Sequence, residues 1–477
     1  MPGGGSGLLR DRGEAPRGWS MLFHSQLFVF VFLPIALFCF YAARSPVSRE
    51  YTVIALSFLF YGWADIRFVP LLAASILLNW ALGFIIREHR SILALWAGVI
   101  ANLATIGYFK YKNFFLENLD FLVGIDWEPS PILLPIGISF FTFQQISYLA
   151  DVHAGKAPIY PLRKYAFYIA YFPQLIAGPI VRHNELIPNL DLDPRRPGLA
   201  ERMSRGITLF TIGLVKKFAI ADQMAPHANA VYAAARDGAV STMDAWTGTL
   251  AFTLQIYFDF SAYSDMAIGL AMMMGFILPA NFDAPYRALD IRDFWRRWHM
   301  TLSRFLRDYV YIPLGGNRFG MRRQIAAQFV TMTLCGLWHG AGWPFLLWGL
   351  WHAVGMSANL LWSRDGRALA APLAWAVTML FVMGGWVLFR AETVDAAESV
   401  YLAMLGLHHA AAVIGGFDIW LAVAGIAIAC FGPTSQQAAL MSLRPNRFIA
   451  VLVAICLFAV MLEVGKGQPI DFIYFEF

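Results

Sequence analysis

Residues 333–355, TLCGLWHGAGWPFLLWGLWHAVG, place two histidines, His339 and His352, among leucine, tryptophan and glycine. An ionisable group is expensive inside an apolar segment that crosses a membrane, and it normally faces the interior of a helix bundle. Pro344, which follows two glycines, predicts a break between two helices, because proline cannot continue the hydrogen bonding of a helix interior. The stretch therefore predicts two apolar helices that meet at a turn beside His339.

The composition places this pair of helices in a membrane protein. Of 477 residues, 58% are hydrophobic and 14% are charged, and the mean hydropathy is +0.56. Soluble domains carry about 25% charged residues. One membrane domain with many spans is therefore expected rather than several soluble domains. The net charge of +5 is too small to indicate a nucleic-acid partner. The four cysteines are far apart, without metal-ligand spacing, and are expected to pack as small apolar residues.

Apolar runs alternate with short polar loops from residue 27 onward. A span needs about 20 mostly apolar residues, and the sequence predicts about eleven spans in an all-α, polytopic integral membrane protein. The longer run 246–278 fits one tilted helix or a broken pair, and 165–181, which holds two prolines, fits a re-entrant or kinked segment. The predicted spans are 27–43, 51–64, 68–86, 92–109, 132–150, 207–221, 325–339, 343–361, 373–389, 417–431 and 448–464.

The first twenty residues differ from the rest. Residues 1–20 are rich in glycine and charge, and we expect a disordered N-terminal extension ahead of one membrane domain, 21–477. Met21 is an alternative start. No small-residue cleavage site closes the apolar run that follows, so a cleavable signal peptide is not expected.

One region concentrates positive charge. Residues 287–323 contain nine arginines, three aspartates and no lysine, an excess of six positive charges. An excess of basic residues in short loops marks the cytoplasmic side of a membrane. Within this region Trp295, Trp298, Leu302 and Phe305 recur at helical spacing, which predicts an amphipathic, interfacial stretch. The arginines either set topology alone or form an anion site, since the planar guanidinium suits phosphate.

His299 lies in the amphipathic stretch and flanks its apolar stripe. Taken alone it is either a structural or interface residue or a functional one. His339 offers a similar choice, because a histidine in its position is either hydrogen-bonded between helices or catalytic. The glycines around His339 remove side-chain bulk, so a substrate or another helix is able to approach it closely.

Two carboxylates interrupt the run LQIYFDFSAYSDMAIG, residues 254–269. Asp259 and Asp265 lie where a membrane span is otherwise expected, and Tyr257 and Ser261 add hydroxyl groups. A buried carboxylate needs a partner or a proton. Either these groups pair with arginines, or they orient a histidine or line a polar tunnel.

The C-terminal end, PIDFIYFEF, is unusually aromatic for a free tail. It is either an interfacial anchor or a segment that folds back into the protein. No Walker loop, dinucleotide glycine fingerprint, HExxH or GxSxG motif occurs, and nothing in the sequence suggests a catalytic metal.

These residues together resemble a known family. FWRRWHMTLSRFLRDYVYIPLGGN (294–317) and GLWHGAGWPFLLWGLWHA (336–353) are similar to the membrane-bound O-acyltransferases, most closely to the bacterial branch of alginate O-acetyltransferase membrane subunits. LPIGISFFTFQQISYLAD (134–151), FPQLIAGPIVRH (172–183) and FIYFEF (472–477) support the resemblance. It covers nearly everything after Met21.

The resemblance implies an acyltransferase whose spans and re-entrant helices surround a tunnel. An acetyl group from cytoplasmic acetyl-CoA would cross the bacterial inner membrane for O-acetylation of an extracytoplasmic polysaccharide such as alginate. A periplasmic SGNH-type transferase would finish the reaction. Peptidoglycan, cellulose or another polymer stays open as acceptor, and D-alanylation of teichoic acid fits less well. A proton-coupled transporter and a non-enzymatic scaffold are the alternatives from other classes.

The resemblance also implies site residues. The family's catalytic histidine falls on His339, and its second histidine falls on His299. A neutral imidazole, whose unperturbed pKa is about 6.5, is suited to remove the proton of an attacking hydroxyl. His299 would bind the thioester or polarise its carbonyl. No cofactor is expected to be bound, and acetyl-CoA is the expected donor.

Further residues receive weaker predictions. We expect Arg296, Arg297, Arg304 and Arg307 to hold the donor phosphates. Tyr474 is a candidate gate or transient acyl acceptor at the tunnel's outer mouth, and deletion of 472–477 would then abolish acetylation without preventing insertion. The predicted supporting or tunnel-lining residues are Asp259, Tyr257, Ser261, Trp338, His352 and Tyr474.

Overall fold

A computed structural model describes residues 21–124, 128–364, 366, 368–408, 416–465 and 472–473. Within these ranges the chain is helical and contains no β-strand, so the predicted all-α class is confirmed. The expected extension at 1–20 and the candidate residue Tyr474 lie outside the described residues.

Among the described residues, the first part of the chain, up to Leu186, forms nine α-helices. They are α1 (Leu33–Ala42), α2 (Pro46–Ala64), α3 (Val69–His89), α4 (Ile92–Ile106), α5 (Lys112–Val123), α6 (Ile138–His153), α7 (Leu162–Ala170), α8 (Phe172–Leu175) and α9 (His183–Leu186). Short 3-10 turns follow α2 and α9, at Ile66–Phe68 and Ile187–Asp191.

The second half contains twelve more. They are α10 (Leu199–Lys216), α11 (Asp222–Arg236), α12 (Thr242–Met273), α13 (Ile291–Arg297), α14 (Met300–Leu306), α15 (Met321–His339), α16 (Trp343–Arg364), α17 (Ala371–Arg390), α18 (Val394–Met404), α19 (Ile419–Phe431), α20 (Ser435–Gln437) and α21 (Arg447–Val464). A 3-10 turn, Pro285–Arg287, precedes α13. π-Helical turns occur at Phe28–Phe32, Gly107–Tyr111, Lys217–Ala221, Arg307–Tyr311 and Ala438–Ser442.

Helix α12 lies at the centre of the molecule. Its 32 residues form one continuous helix, so the run 246–278 is not a broken pair. Every residue from Ala251 to Ala271 is buried, including the carboxylates Asp259 and Asp265, so this helix is surrounded by protein on all sides. Helix α10 packs closely against it because a Cβ on Gly206 would lie 2.8 Å from the carbonyl oxygen of Gly269. Small residues at such crossings permit the close backbone approach on which membrane helices depend.

Four helical segments of the described chain are long and apolar enough to cross a membrane. They are Ile66–His89, Ile92–Val123, Ala371–Arg390 and Arg447–Val464. A fifth candidate is the pair Ile419–Phe431 and Ser435–Ser442, which is bent by 71°. Other apolar runs of the sequence coincide with helices that differ from these four segments. Helix α12 is longer and more deeply buried than the apolar spanning segments, and α15 is more polar. The number of eleven spans stays a prediction.

The proline-rich run 165–181 is broken, as predicted. Helix α7 ends at Ala170, the short α8 follows, and residues 167–181 are all buried. Its backbone is held by side chains of other elements: Ser57 Oγ accepts from the amide of Phe172 at 3.1 Å, and Thr301 Oγ1 accepts from that of Ile180 at 3.0 Å. Irregular backbone of this kind is stable in a membrane protein when protein buries it.

Candidate active site

His339 is the last residue of α15. The helix ends there because Gly340 adopts an extended conformation, with φ of −161° and ψ of 154°, and α16 starts at Trp343, immediately before Pro344. The predicted pair of helices that meet at a turn is therefore confirmed. The two helices form an antiparallel hairpin whose turn carries His339.

The glycines of this hairpin serve helix packing. A Cβ on Gly336 would lie 2.2 Å from the carbonyl oxygen of Phe345, and one on Gly349 would lie 2.3 Å from that of Met332. A Cβ on Gly340 would lie 2.0 Å from the Phe345 ring. Either a substrate or another helix was expected to approach these glycines. At Gly336 and Gly340 the neighbouring helix α16 fills the space, and a substrate does not.

The His339 ring lies in a cluster of aromatic side chains and is 4% exposed. Its centroid is 4.8 Å from that of Trp338, 5.2 Å from that of Trp348 and 5.0 Å from that of Phe389. The two tryptophans come from the two arms of the hairpin, and Phe389 comes from α17. Large, rigid rings on several sides fix the orientation of the imidazole.

A lysine that the sequence analysis missed holds the same turn. The Lys110 ammonium donates to the carbonyl oxygens of Trp338 and His339, at 2.7 and 2.6 Å. Its neighbour Tyr111 donates to the carbonyl oxygen of Leu337. The last carbonyls of a helix have no partner within the helix, so these two residues satisfy the end of α15. Both belong to the π-helical turn Gly107–Tyr111.

A pocket of about 90 Å³ reaches His339 and Trp338. Lys110 lines it on one side, and the N-terminal turn of α6 and the buried segment at Ala177 line it on others. Gly137, with φ of +75°, lets α6 begin here, and a Cβ at this position would lie 2.3 Å from the Leu175 carbonyl oxygen. The pocket gives a small group access to the catalytic candidate.

His299 breaks the predicted amphipathic helix. The stretch forms two short helices, α13 and α14, because His299 adopts a left-handed conformation with φ of +41°. A non-glycine residue in this region is uncommon and marks a strained position. The expected interfacial helix is therefore wrong at its centre, where His299 is completely buried.

The hydrogen bond between His299 and Asn281 indicates which ring nitrogen of His299 carries the hydrogen. Nδ1 is 3.1 Å from Oδ1 of Asn281, and the Asn281 amide in turn donates to Ser264 Oγ at 3.2 Å. Because the amide oxygen only accepts, Nδ1 carries the hydrogen and Nε2 is left as an acceptor. Nε2 has no hydrogen-bond partner in the part of the chain that the structure describes.

Trp338 connects the two candidate histidines. Its ring centroid is 6.0 Å from that of His299 and 4.8 Å from that of His339. It also stacks on Phe143 of α6 at 5.3 Å. The structure thus places the rings of His339 and His299 on the same tryptophan, Trp338.

His352 lies at the other end of the aromatic cluster. It is completely buried, and Trp295 Nε1 donates to its Nδ1 at 3.3 Å. Trp348 contacts it with a centroid distance of 4.7 Å. His352 thus accepts from an indole of another helix and does not line the pocket that reaches His339, and its supporting role stays a prediction.

The carboxylates of α12 pair with lysines. Asp259 accepts from Lys217 Nζ at 3.0 Å, and Asp265 accepts from Lys216 Nζ at 2.7 Å. The ion-pair alternative is therefore correct in kind, but arginine is the wrong partner. Asp259 also accepts from the backbone amide of Ile473 at 2.9 Å, so in the described structure its contacts lead to the C-terminal segment and not to a histidine.

The two hydroxyl residues of α12 that were predicted to support the site, Ser261 and Tyr257, also lie away from the pocket at His339. Ser261 donates back to the carbonyl oxygen of Phe258, at 3.5 Å, within its own helix. The Tyr257 ring packs 5.0 Å from that of Tyr286 and 6.3 Å from that of Trp298. Neither lines the pocket at His339, although Tyr257 reaches the aromatic side chains beside His299.

The two described residues of the C-terminal segment, Phe472 and Ile473, lie inside the protein, which agrees with the expectation that this segment folds back. Phe472 and Ile473 are each 1% exposed. The Phe472 ring lies 4.6 Å from that of Tyr263, beside the N-terminal Phe23 that stacks on the same tyrosine at 4.8 Å. Tyr474 itself lies outside the described residues.

Three of the four predicted phosphate-binding arginines already have carboxylate partners. Arg297 pairs with Asp293 at 3.0 Å, Arg304 pairs with Glu185 at 2.8 Å, and Arg307 pairs with Asp308 at 2.7 Å. Arg296 is exposed, and no ion pair to it occurs among the described residues. Folding therefore places a carboxylate beside three of these four arginines, and their role in binding the donor phosphates stays a prediction.

A polar cluster at the far end of α6 was also missed. Asp151 accepts from the Tyr309 hydroxyl at 2.8 Å and lies 3.3 Å from Nε2 of His183. Arg182 pairs with Asp308 at 2.6 Å and lies over the Tyr309 ring. The motifs at 134–151 and 172–183 are thus joined to the basic region by a network that no single motif reveals.

Comparison with known proteins gives the family of this chain. Residues 138–382 match the membrane-bound O-acyltransferase family. The chain belongs to this family. The acyltransferase is 42% identical over 395 residues to the probable alginate O-acetylase AlgI of Azotobacter vinelandii, covering 80% of this chain and 78% of that protein.

Two further relatives extend the comparison. The acyltransferase is 41% identical over 402 residues to the probable alginate O-acetylase AlgI of Pseudomonas aeruginosa, covering 80% and 75% of the two chains. It is 37% identical over 430 residues to a peptidoglycan O-acetyltransferase of Helicobacter pylori, covering 82% and 81%. The protein is therefore a membrane-bound O-acyltransferase, and the transporter and scaffold alternatives are excluded.

Proposed function

We propose that this acyltransferase passes an acetyl group from acetyl-CoA across the bacterial inner membrane for O-acetylation of an extracytoplasmic polysaccharide, with alginate the first candidate. The observation that carries the proposal is His339, held by Lys110 at the wall of a pocket that a small group can enter. The alginate O-acetylases at about 40% identity support the acceptor. A periplasmic SGNH-type transferase would complete delivery to the polymer.

The proposed chemistry uses His339 as a general base. Its imidazole removes the proton of the attacking hydroxyl while the oxygen forms a bond to the acetyl carbon. The C–S bond of the thioester then breaks, and the proton passes from His339 to the leaving thiolate. General acid–base catalysis of this kind contributes about 10²- to 10⁴-fold in rate. The aromatic side chains around the ring supply its orientation.

His299 would hold the donor rather than polarise it. Because its Nδ1–H is directed to Asn281, a neutral His299 presents a lone pair at Nε2 and no donor. A lone pair is able to accept from an amide N–H of the pantetheine arm, whereas polarising a carbonyl requires a hydrogen-bond donor. Of the two roles expected for His299, binding fits better.

Arg296 is the arginine best placed to meet donor phosphates. It is exposed, while the guanidinium groups of Arg297, Arg304 and Arg307 bind carboxylates. Arg297, Arg304 and Arg307 would add less to the positive electrostatic potential around the donor, because the paired carboxylates neutralise much of their charge. Tyr474 remains proposed as a gate or transient acyl acceptor.

Turnover of acetyl-CoA by purified variants tests the assignment. We expect His339→Ala to lower thiol release in the presence of alginate oligosaccharides by at least about a hundredfold. His299→Ala should mainly raise the KM for acetyl-CoA. His352→Ala is the matched control, a buried histidine of the same ring cluster, and should retain kcat within a few-fold. Unchanged turnover in the His339→Ala protein would contradict the proposal.

Peptidoglycan is the second candidate acceptor, because the Helicobacter pylori relative matches over more residues than either alginate O-acetylase. Mass spectrometry of surface polymers from a deletion strain separates the two. Loss of O-acetyl groups from muramic acid, with the exopolysaccharide unchanged, would favour peptidoglycan.

A further inference from the structure

Lys110 places an ammonium group in an apolar part of the molecule, and no carboxylate partner for it occurs in the described part of the chain. It lies inside the segment Ile92–Val123, which is long and apolar enough to cross a membrane. Among the described residues its hydrogen-bond partners are the two carbonyl oxygens at the end of α15. A cation in such a segment is costly and by default has a functional reason to be there.

The geometry explains how this position stabilises a cation. The C-terminal end of a helix carries a partial negative charge of roughly half an elementary charge. The ammonium contacts this end directly, at 2.7 Å from the oxygen of Trp338 and 2.6 Å from that of His339. Tyr111 Oη donates to the preceding carbonyl, of Leu337. Three successive carbonyls of α15 are thus satisfied from one turn of a neighbouring segment.

Two of these three carbonyls belong to residues on which the proposed chemistry depends, Trp338 and His339. Trp338 contacts both candidate histidines, and His339 is the proposed base. Lys110 also lines the pocket that reaches His339. The backbone that carries the imidazole is therefore fixed by the ammonium, whereas the ring is fixed by its aromatic neighbours.

We propose that Lys110 is a positioning residue, which caps α15 with its charge and thereby holds His339 at the pocket. This inference rests on the proposed role of His339. Loss of the cap would let the last turn of α15 unwind, and the imidazole would then spend less time in the reactive position. The expected consequence is a fall in kcat with little change in donor affinity.

The chain offers a matched control two residues away. Lys112 follows the same π-helical turn, and its Nζ lies 3.5 Å from Ser130 Oγ and 5.6 Å from the centroid of the Tyr108 ring. Substitution of either lysine by methionine removes one charge and keeps a long, flexible side chain. A difference between Lys110→Met and Lys112→Met therefore reports the cap and not the loss of a membrane lysine.

Two measurements on the full-length protein in lipid nanodiscs test the proposal. In acetyl-CoA turnover, we expect Lys110→Met to lower kcat about tenfold or more with KM within twofold, and Lys110→Arg to recover part of the loss. Lys112→Met should stay within twofold of the parent. A kcat within twofold in Lys110→Met, or an equal defect in Lys112→Met, would overturn the proposal.

The second measurement does not depend on the reaction. Carbethoxylation of His339 by diethyl pyrocarbonate, followed by mass spectrometry, reports how well the turn is held. We expect a several-fold faster modification in Lys110→Met and in Tyr111→Phe than in the parent, and no change in Lys112→Met. If the parent lacks acetyl-CoA turnover but this pattern holds, the donor assignment fails and the positioning role stands. Unchanged modification in both cap variants would overturn the positioning role itself.

Discussion

At the scale of single residues, Asn281 organises the strained turn at His299. Its Oδ1 accepts from His299 Nδ1, from the Thr301 hydroxyl at 2.8 Å and from the Thr301 amide at 3.3 Å. Its backbone oxygen accepts from the amide of Met300 at 2.9 Å. One buried asparagine therefore maintains both the left-handed conformation of His299 and the tautomer that leaves Nε2 as an acceptor.

We predict that Asn281→Ala destabilises the protein and impairs donor binding. The substitution leaves three buried donors without their acceptor, and each such group costs about 1–3 kcal/mol. The free energy of unfolding should fall by at least about 2 kcal/mol, measured by thermal denaturation in detergent. The KM for acetyl-CoA should rise in the protein that remains folded.

Ser303→Ala provides the comparison for this prediction. Ser303 lies on α14, the short helix that begins after His299. Its hydroxyl makes one long hydrogen bond, 3.4 Å, to the carbonyl oxygen of Trp298. Its loss should change stability by less than about 0.5 kcal/mol. Equal melting temperatures for the two variants would show that Asn281 does not hold the turn.

At the scale of elements, the α15–α16 hairpin depends on glycines that face backbone. We predict that Gly336→Ala forces the two helices apart, because its Cβ would lie 2.2 Å from the Phe345 carbonyl oxygen. Inserting a methyl group into a tightly packed site costs about 1–3 kcal/mol. The loss should appear as a lower melting temperature and, since His339 lies one turn later, as a lower kcat.

Gly342→Ala is the control that distinguishes a steric clash between the helices from the loss of a glycine in this hairpin. A Cβ on Gly342 meets nothing closer than the Pro344 Cδ, at 3.5 Å, which is ordinary contact. This variant should retain the melting temperature and turnover of the parent. A comparable loss in both variants would mean that the turn itself needs flexible glycines, contrary to the packing argument.

At the scale of the whole molecule, α12 joins the ends of the chain. Asp259 binds Lys217 of the turn after α10, and it also accepts from the Ile473 amide. Phe472 packs on Tyr263 of the same helix, and so does Phe23 near the start of the described chain. Phe472 and Ile473, the described residues of the C-terminal aromatic motif, are thereby anchored to the centre of the protein.

We predict that Asp259→Leu releases the C-terminal segment. Leucine keeps a similar volume but removes both the charge and the acceptor, so the Ile473 amide loses its partner. Hydrogen–deuterium exchange at Ile473 should become at least tenfold faster, which corresponds to about 1.4 kcal/mol of lost protection. Polymer acetylation in cells should fall if the motif acts at the site.

Asp265→Leu is the control, since Asp265 pairs with Lys216 nearly two turns further along α12 and has no hydrogen bond to Phe472 or Ile473 in the described structure. It removes an ion pair of the same helix that is somewhat less buried, with side-chain exposures of 7% for Asp265 and 13% for Lys216 against 2% for both Asp259 and Lys217. Exchange at Ile473 should remain at the parent rate. Faster exchange in both variants would indicate global loosening and not the loss of an anchor.

The sequence by itself determined that this is a helical membrane protein, and it indicated His339 as the candidate base. Long apolar runs with few charges specify helices in a membrane, because every backbone polar group there must be satisfied within the segment. The motif around His339, with Pro344 behind it, also indicated a histidine at a helix end. These properties depend on neighbours along the chain, which a sequence displays directly.

The tertiary structure decided which polar groups meet. Asp259 pairs with a lysine instead of an arginine, three arginines bind carboxylates, and Lys110 reaches the end of α15, 228 residues away along the chain. The conformation of His299 likewise depends on Asn281, a residue of a preceding loop. In an apolar surrounding, each charged or polar side chain takes the nearest partner that packing supplies. That partner is fixed by how the helices cross, which no local pattern encodes.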